Sequence, residues 1–321
     1  MYTPLAMRVR ASAFAIGTGV AVAYVVAAQL GFRMAFTAEQ VTTVWAPTGI
    51  AIAALLLRGL RFWPAVWGGA FAANLSTSAP TWTAAGIATG NTLEAVVAAW
   101  ALSRRSGFDP AMRRTRDVLA YLLLAGGLGC AIAATSGVSV LCAAGVQPWA
   151  SYWPLWSDWM LGDALGAIVV GPAILTTFRP RARLSARQRL ETVLLLVMVI
   201  VGTTIVFGGV FATTIGSHPI QFVLFPFVLT AAVRLGQPAT AVLALAVSAV
   251  AIWNTFHGRG PFVETSVHQS LVVLQVFLGV LASSGLLLSA AVTERRIADE
   301  RRGAPNPRGV GGSRASSPRD A

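Results

Sequence analysis

The sequence predicts an all-α fold: a polytopic transmembrane bundle of eight to ten helices, with the N- and C-termini in the cytoplasm. Three observations predict it. Of 321 residues, 55% are hydrophobic and only 11% are charged, with a mean hydropathy of +0.68, whereas a soluble domain carries about a quarter charged residues. The apolar residues gather into ten stretches, and the 24 basic residues, every one an arginine, cluster between them. So few charged side chains cannot cover a soluble globule, which excludes an ordinary soluble enzyme. A bilayer removes the need for that cover, and a spanning helix needs roughly 20 residues at about 1.5 Å rise.

The stretches run, with ends approximate, over 11–32, 41–57, 62–77, 83–103, 117–143, 155–178, 191–212, 219–233, 238–256 and 268–292. The first has the length of a spanning helix rather than of a signal core of about 7–15 residues, and Arg8 and Arg10 anchor it on the inside. The second, third and eighth are short, so each can be tilted, broken or re-entrant. An eight-helix version omits 41–57 and 62–77 together. The fifth carries both cysteines, Cys130 and Cys142. They lie too far apart along one helix to be bridged within it, and they read as small buried hydrophobes. Pro47, Pro172 and Pro226 fall in the second, sixth and eighth stretches and predict kinks or broken helices.

Charge sets the orientation. With ten crossings and both ends inside, 22 of the 24 arginines fall on the cytoplasmic side, and Arg33 and Arg259 fall outside. The formal charge of +12 is therefore a topology record. It does not mark a nucleic-acid binder, which gathers its cations on one face or arm with aromatics interleaved. Trp63, Trp67, Trp82, Trp149, Trp153 and Trp156 fit an aromatic belt at the interfaces. Residues 1–292 form the membrane domain. Residues 293–321 form a cytoplasmic tail that starts as a charged helical stub and then turns Gly-, Pro-, Ser- and Arg-rich, with a composition of disorder.

Buried charge is the most informative chemistry in such a chain, because an ionised side chain at mid-bilayer costs at least about 2.5–3.5 kcal/mol. Glu94 sits mid-stretch with Asn91 one turn before it on the same face. Asp163 lies between Gly162 and Gly166, small residues that let another helix approach closely. Asp158 lies nearer the outer end. Asn91, Glu94, Asp158 and Asp163 are thus the candidates for a polar or proton-linked pocket; the competing reading is interhelical hydrogen bonding that fixes packing. Asn74, Gln221, Asn254 and Gln275 are expected to bridge helices. His218, His257 and His268 fall at outer loops or helix ends without metal-binding spacing, and no metal or cofactor is expected. No P-loop, G-x-S-x-G or H-E-x-x-H occurs, so no catalytic residue is expected and the chain reads as a non-enzyme.

The run Val44-Trp45-Ala46-Pro47-Thr48-Gly49-Ile50-Ala51, the basic turn after it, and Gly69-Ala70-Phe71-Ala72-Ala73-Asn74 resemble the opening of the first MASE-type membrane-associated sensor domain family. The resemblance continues through Gly90-Asn91-Thr92-Leu93-Glu94, Gly162-Asp163-Ala164-Leu165-Gly166, Pro172 and the closing Thr293-Glu294-Arg295-Arg296. It covers nearly the whole membrane portion in order, and Ala46 stands where the pattern leads one to expect proline. The resemblance implies a multi-helix bacterial inner-membrane sensor that ordinarily precedes a histidine kinase or a cyclic-dinucleotide enzyme. Here residues 293–321 hold no such output domain, so the expected partners are the bilayer and a separate signalling protein of those kinds, with further copies of the chain as an oligomer. A small-molecule transporter or permease is the alternative.

Overall fold

The computed structural model describes residues 4–38, 41–178, 185–208, 220–264 and 266–303. Arg179, Arg181, Arg183, His218 and residues 304–321 of the expected tail lie outside the described residues. The chain begins with α1 (Pro4–Phe32), which a two-stranded antiparallel hairpin, β1 (Ala35–Ala38) and β2 (Val41–Thr42), joins to α2 (Ala46–Arg58). Then come α3 (Trp63–Asn74), α4 (Thr81–Arg104), α5 (Thr115–Tyr121) and α6 (Cys130–Ala143), the last two made continuous by a π-helical segment, Leu122–Gly129. A second π segment, Gly166–Val170, joins α7 (Tyr152–Leu165) to α8 (Gly171–Thr177). The chain continues with α9 (Ala186–Phe207), α10 (Leu224–Arg234), α11 (Gln237–Phe256) and α12 (Val267–Gly303). With each π-joined pair taken as one rod, the helices fall on the ten apolar stretches of the sequence.

Six segments among the described residues are long and apolar enough to cross a membrane: Ser12–Phe32, Thr115–Ala143, Trp149–Thr177, Ala186–Phe207, Gln237–Phe256 and His268–Glu300. The molecule is thus a multi-pass membrane protein. Its outer faces agree, since Phe14, Val22, Val26 and Leu30 on α1 and Leu194, Val197, Met198 and Val201 on α9 are exposed. Such apolar faces suit lipid and not water. Helix α4, at 24 residues, has the length of a span but lies outside these six. Asn91, Thr92 and Glu94 lower its hydropathy, and they are buried against protein.

Pro172 lies inside the α7–α8 rod, just after the π segment. Pro47 and Pro226 instead sit in the first turns of α2 and α10, where a missing N–H costs nothing, because the first-turn donors have no intrahelical partner in any case. The second stretch therefore becomes helical at Ala46 rather than at 41.

Three apolar clusters hold the bundle. One joins α1 through α5 and α8, around Tyr24, Ile52, Val66, Leu102 and Tyr121; a second joins α9 through α12, around Phe207, Leu224, Leu243 and Leu278. The third, between α4, α6 and α7, is built on Ile87, Leu141 and Trp159. The α7–α8 rod borders the first two, with Leu165 and Val169 in one and Ala167 and Leu175 in the other.

The arginine-bearing loops meet at one end of the bundle. There Thr115 binds Glu294, Arg296 donates to Val233 O at 2.6 Å, Arg234 binds Glu191 at 3.1 Å, and Gln237 Nε2 donates to Met112 O at 2.6 Å and Leu286 O at 3.0 Å. At the other end Gln29 binds Ser76 at 2.8 Å and Phe207 packs on Phe262.

Candidate functional site

Between β2 and α2 the chain runs extended through the interior, a costly path that requires every backbone polar group to find a partner. Trp45 N–H donates to Gly162 O at 2.9 Å, and Gln275 Nε2 donates to Thr43 O at 2.8 Å. The Trp45 ring, 6% exposed, meets Tyr24 edge-on at 6.5 Å and Phe32 at 5.0 Å. This anchoring places the start of α2 inside the protein, with Thr48 in its first turn.

Glycines then bring α2 onto the α7–α8 rod. A Cβ on Gly49 would strike Gly166 O and Gly171 N, one on Gly166 would strike Trp45 O, and one on Gly162 would approach Thr42 O. Backbone therefore lies on backbone, the close approach that small residues permit in membrane bundles.

That approach assembles the polar centre. Thr48 Oγ1 lies 3.0 Å from Glu94 Oε2 and 3.2 Å from Asp163 Oδ1. Both acids are 1% exposed, and among the described residues neither forms an ion pair. The Cys130 thiol neighbours Glu94 and the Trp159 indole neighbours Asp163. Asn91 donates to Tyr24 Oη at 3.0 Å. Among the described residues Glu94 Oε1, Asp163 Oδ2 and Asn91 Oδ1 have no hydrogen-bond partner. Buried acceptors without donors are costly and rare in folded proteins, so this group is a candidate for binding.

Both π segments border this centre, a frequent location for such features. In the second, Gly171 N–H bonds Gly166 O, which sets an i to i−5 register. The next donor in that register would be residue 172, and proline has none. Tyr121, at the edge of the first π segment, fills the gap by donating its hydroxyl to Ala167 O at 3.0 Å.

Of the four acid-site candidates, Glu94 and Asp163 come together through Thr48, while Asn91 sits beside them and turns to Tyr24. Asp158 lies apart: it is buried but pairs with His268 at 3.5 Å near the far end of α12. Among the residues expected to bridge helices, Gln275 ties α12 to the extended stretch before α2 at Thr43 O rather than to another helix. Asn74 and Asn254 bond carbonyls of their own helices, Ala70 and Val250. Gln221 Oε1 is buried without a partner among the described residues. The His257 ring lies tilted against Trp253, with centroids 4.4 Å apart. Both cysteines are free and buried, and among the described residues no cluster of three or more His, Cys, Asp or Glu is placed to hold a metal. Sequence reasoning missed Thr48, Tyr24, Tyr121 and Gln237. The signal for Thr48 lay in Trp45-Ala46-Pro47-Thr48-Gly49, where a proline start and a glycine contact leave one polar side chain facing inward.

No curated protein and no solved structure matches the chain. The family model MASE1 matches residues 18–296, a range that includes Tyr24, Thr48, Glu94, Tyr121 and Asp163 and most of the chain. By that match, the chain belongs to the MASE1 family of membrane-associated sensor domains.

Proposed function

We propose that this chain is a non-catalytic sensory module of a bacterial inner membrane. Eight to ten helices cross the bilayer, both termini lie in the cytoplasm, and the output passes to a separate histidine kinase or cyclic-dinucleotide enzyme. The observation that carries this reading is the Thr48 bridge between Glu94 and Asp163, because it makes three separate elements, α2, α4 and α7, answer to one buried polar contact. Family membership supports the sensory role, and the gathering of arginine-bearing loops at one end supports the orientation. Any signal must bind two packing states with different affinity. The contact around Thr48 is where such a difference can be made.

The test compares wild-type with Thr48→Val, Glu94→Gln and Asp163→Asn variants at matched membrane levels in the native cell, reading kinase phosphorylation and cyclic-dinucleotide concentration. A change in either output with any variant supports the reading. Unchanged outputs in all three overturn it.

Buried carboxyls beside interrupted helices also suit a proton-coupled transporter. Proteoliposomes holding a pH dye separate the readings: proton flux that disappears in Glu94→Gln favours transport, and a tight bilayer favours the sensor.

A further inference from the structure

We propose that Glu94 and Asp163 bind one proton between them across Thr48, so that the ligand of this site is the proton itself. The inference rests on the reading of this contact as the sensory site and supplies its chemistry.

Hydrogen-bond counting carries the argument. A threonine hydroxyl has one hydrogen to donate, yet Thr48 Oγ1 stands at hydrogen-bond distance from two carboxyls, 3.0 and 3.2 Å away. With both acids ionised, one contact would set lone pairs against lone pairs. With one acid protonated, that carboxyl donates to Thr48 Oγ1 while the Thr48 hydroxyl donates to the other, and both contacts become bonds. The proton comes from water and returns to water, and no other reactant takes part.

Charge likewise excludes the doubly ionised pair. Among the described residues the elements packed here present Tyr24 from α1, Tyr121 from α5 and Cys130 from α6 as the other titratable groups, and no arginine or histidine is paired with either acid. Two buried carboxylates without a cation would repel one another across a single oxygen. One proton leaves a single negative charge, which faces the first turn of α2, where the helix dipole is positive. The proton also needs no cavity, in keeping with a contact already closed to bonding distance. Its loss forces α4 and α7 apart at Thr48, and the backbone contacts of Gly49 and Gly166 carry that strain into α2 and the α7–α8 rod.

The experiment is infrared difference spectroscopy of the full chain in lipid nanodiscs, between acid and alkaline pH. The expected result is a protonated-carboxyl C=O band equivalent to one proton per chain, lost on alkalinisation and absent from the Glu94→Gln/Asp163→Asn double variant. Thr48→Val, which keeps both acids, shifts the band to the frequency of a weaker hydrogen bond and serves if the double variant does not fold. A wild-type difference spectrum equal to that of the double variant, or a band equivalent to two protons per chain, overturns the proposal. So does an unshifted band in Thr48→Val, or a midpoint that moves with sodium concentration at constant pH, which would make the occupant a metal cation. The band reads proton binding alone, so its presence alongside unchanged signalling outputs would leave the proton site standing and remove the sensory reading.

Discussion

Thr48 on α2 reaches Asp163 on α7 at 3.2 Å across 115 positions of sequence, and the same oxygen meets Glu94. A single hydroxyl therefore sets the spacing of two helices that carry buried acids. Thr48→Val keeps the side-chain shape and removes that hydroxyl, leaving two buried carboxyls without their shared partner. The expected loss is about 1–3 kcal/mol, read as a lower unfolding midpoint in detergent titration, whereas Thr48→Ser retains most of the wild-type stability. Equal midpoints for the valine and serine variants would show that the bridge contributes nothing.

The contact depends on how near α2 lies to the α7–α8 rod. Gly49→Ala would place its methyl against Gly166 O and Gly171 N, backbone atoms that cannot rotate aside. Overpacking of this kind costs about 1–3 kcal/mol, and here it also pulls Thr48 away from Asp163. Gly68 is the control, because a methyl group there would meet nothing within 4 Å. Gly68→Ala keeps or raises the unfolding midpoint, since alanine favours a helix interior over glycine, and Gly49→Ala lowers it.

The helices were legible in the sequence because apolar length and arginine placement follow from the bilayer itself. Glu94 and Asp163 were legible for the same reason, since lipid makes every buried charge conspicuous. Thr48 was not, because a threonine among apolar residues is ordinary, and only the glycine contacts at Gly49 and Gly166 give it two acids to meet. Pro47 misled for a related reason: it read as a break within an apolar run, but the chain uses it to begin α2. Asp158 carried the same sequence signal as Asp163, yet lies five residues away along α7 and faces His268 on α12.

The π segment after α7 has a built-in deficit at Ala167 O, and Tyr121 supplies the donor. Tyr121→Phe is expected to cost about 1–3 kcal/mol as that buried carbonyl loses its partner. Pro172→Ala restores a backbone N–H at the position whose absence created the deficit. The cost of Tyr121→Phe is therefore smaller in the Pro172→Ala background than alone, a coupling that a double-mutant cycle on unfolding midpoints measures directly. Additive costs would separate the tyrosine from the proline.

At the arginine-bearing end, Glu294 of α12 caps α5 from a distant part of the chain: Oε2 accepts from Thr115 N at 3.2 Å and from Thr115 Oγ1 at 2.7 Å. Its negative charge also faces the positive end of that helix. Two residues on, Arg296 donates to Val233 O at the C-terminal end of α10. The last helix is thus pinned to two others at this end of the bundle. Glu294→Ala removes a cap worth about 0.5–2 kcal/mol, and the loss is local. Hydrogen exchange should quicken at 115–118 and at 290–296 while the amides around Thr48 keep their protection. Glu294→Gln keeps an acceptor but not the charge, and should fall between the two. If exchange instead quickens throughout α2 and α4, the arginine-bearing end of α12 and the buried acids belong to one cooperative unit, and the pins transmit rather than merely hold.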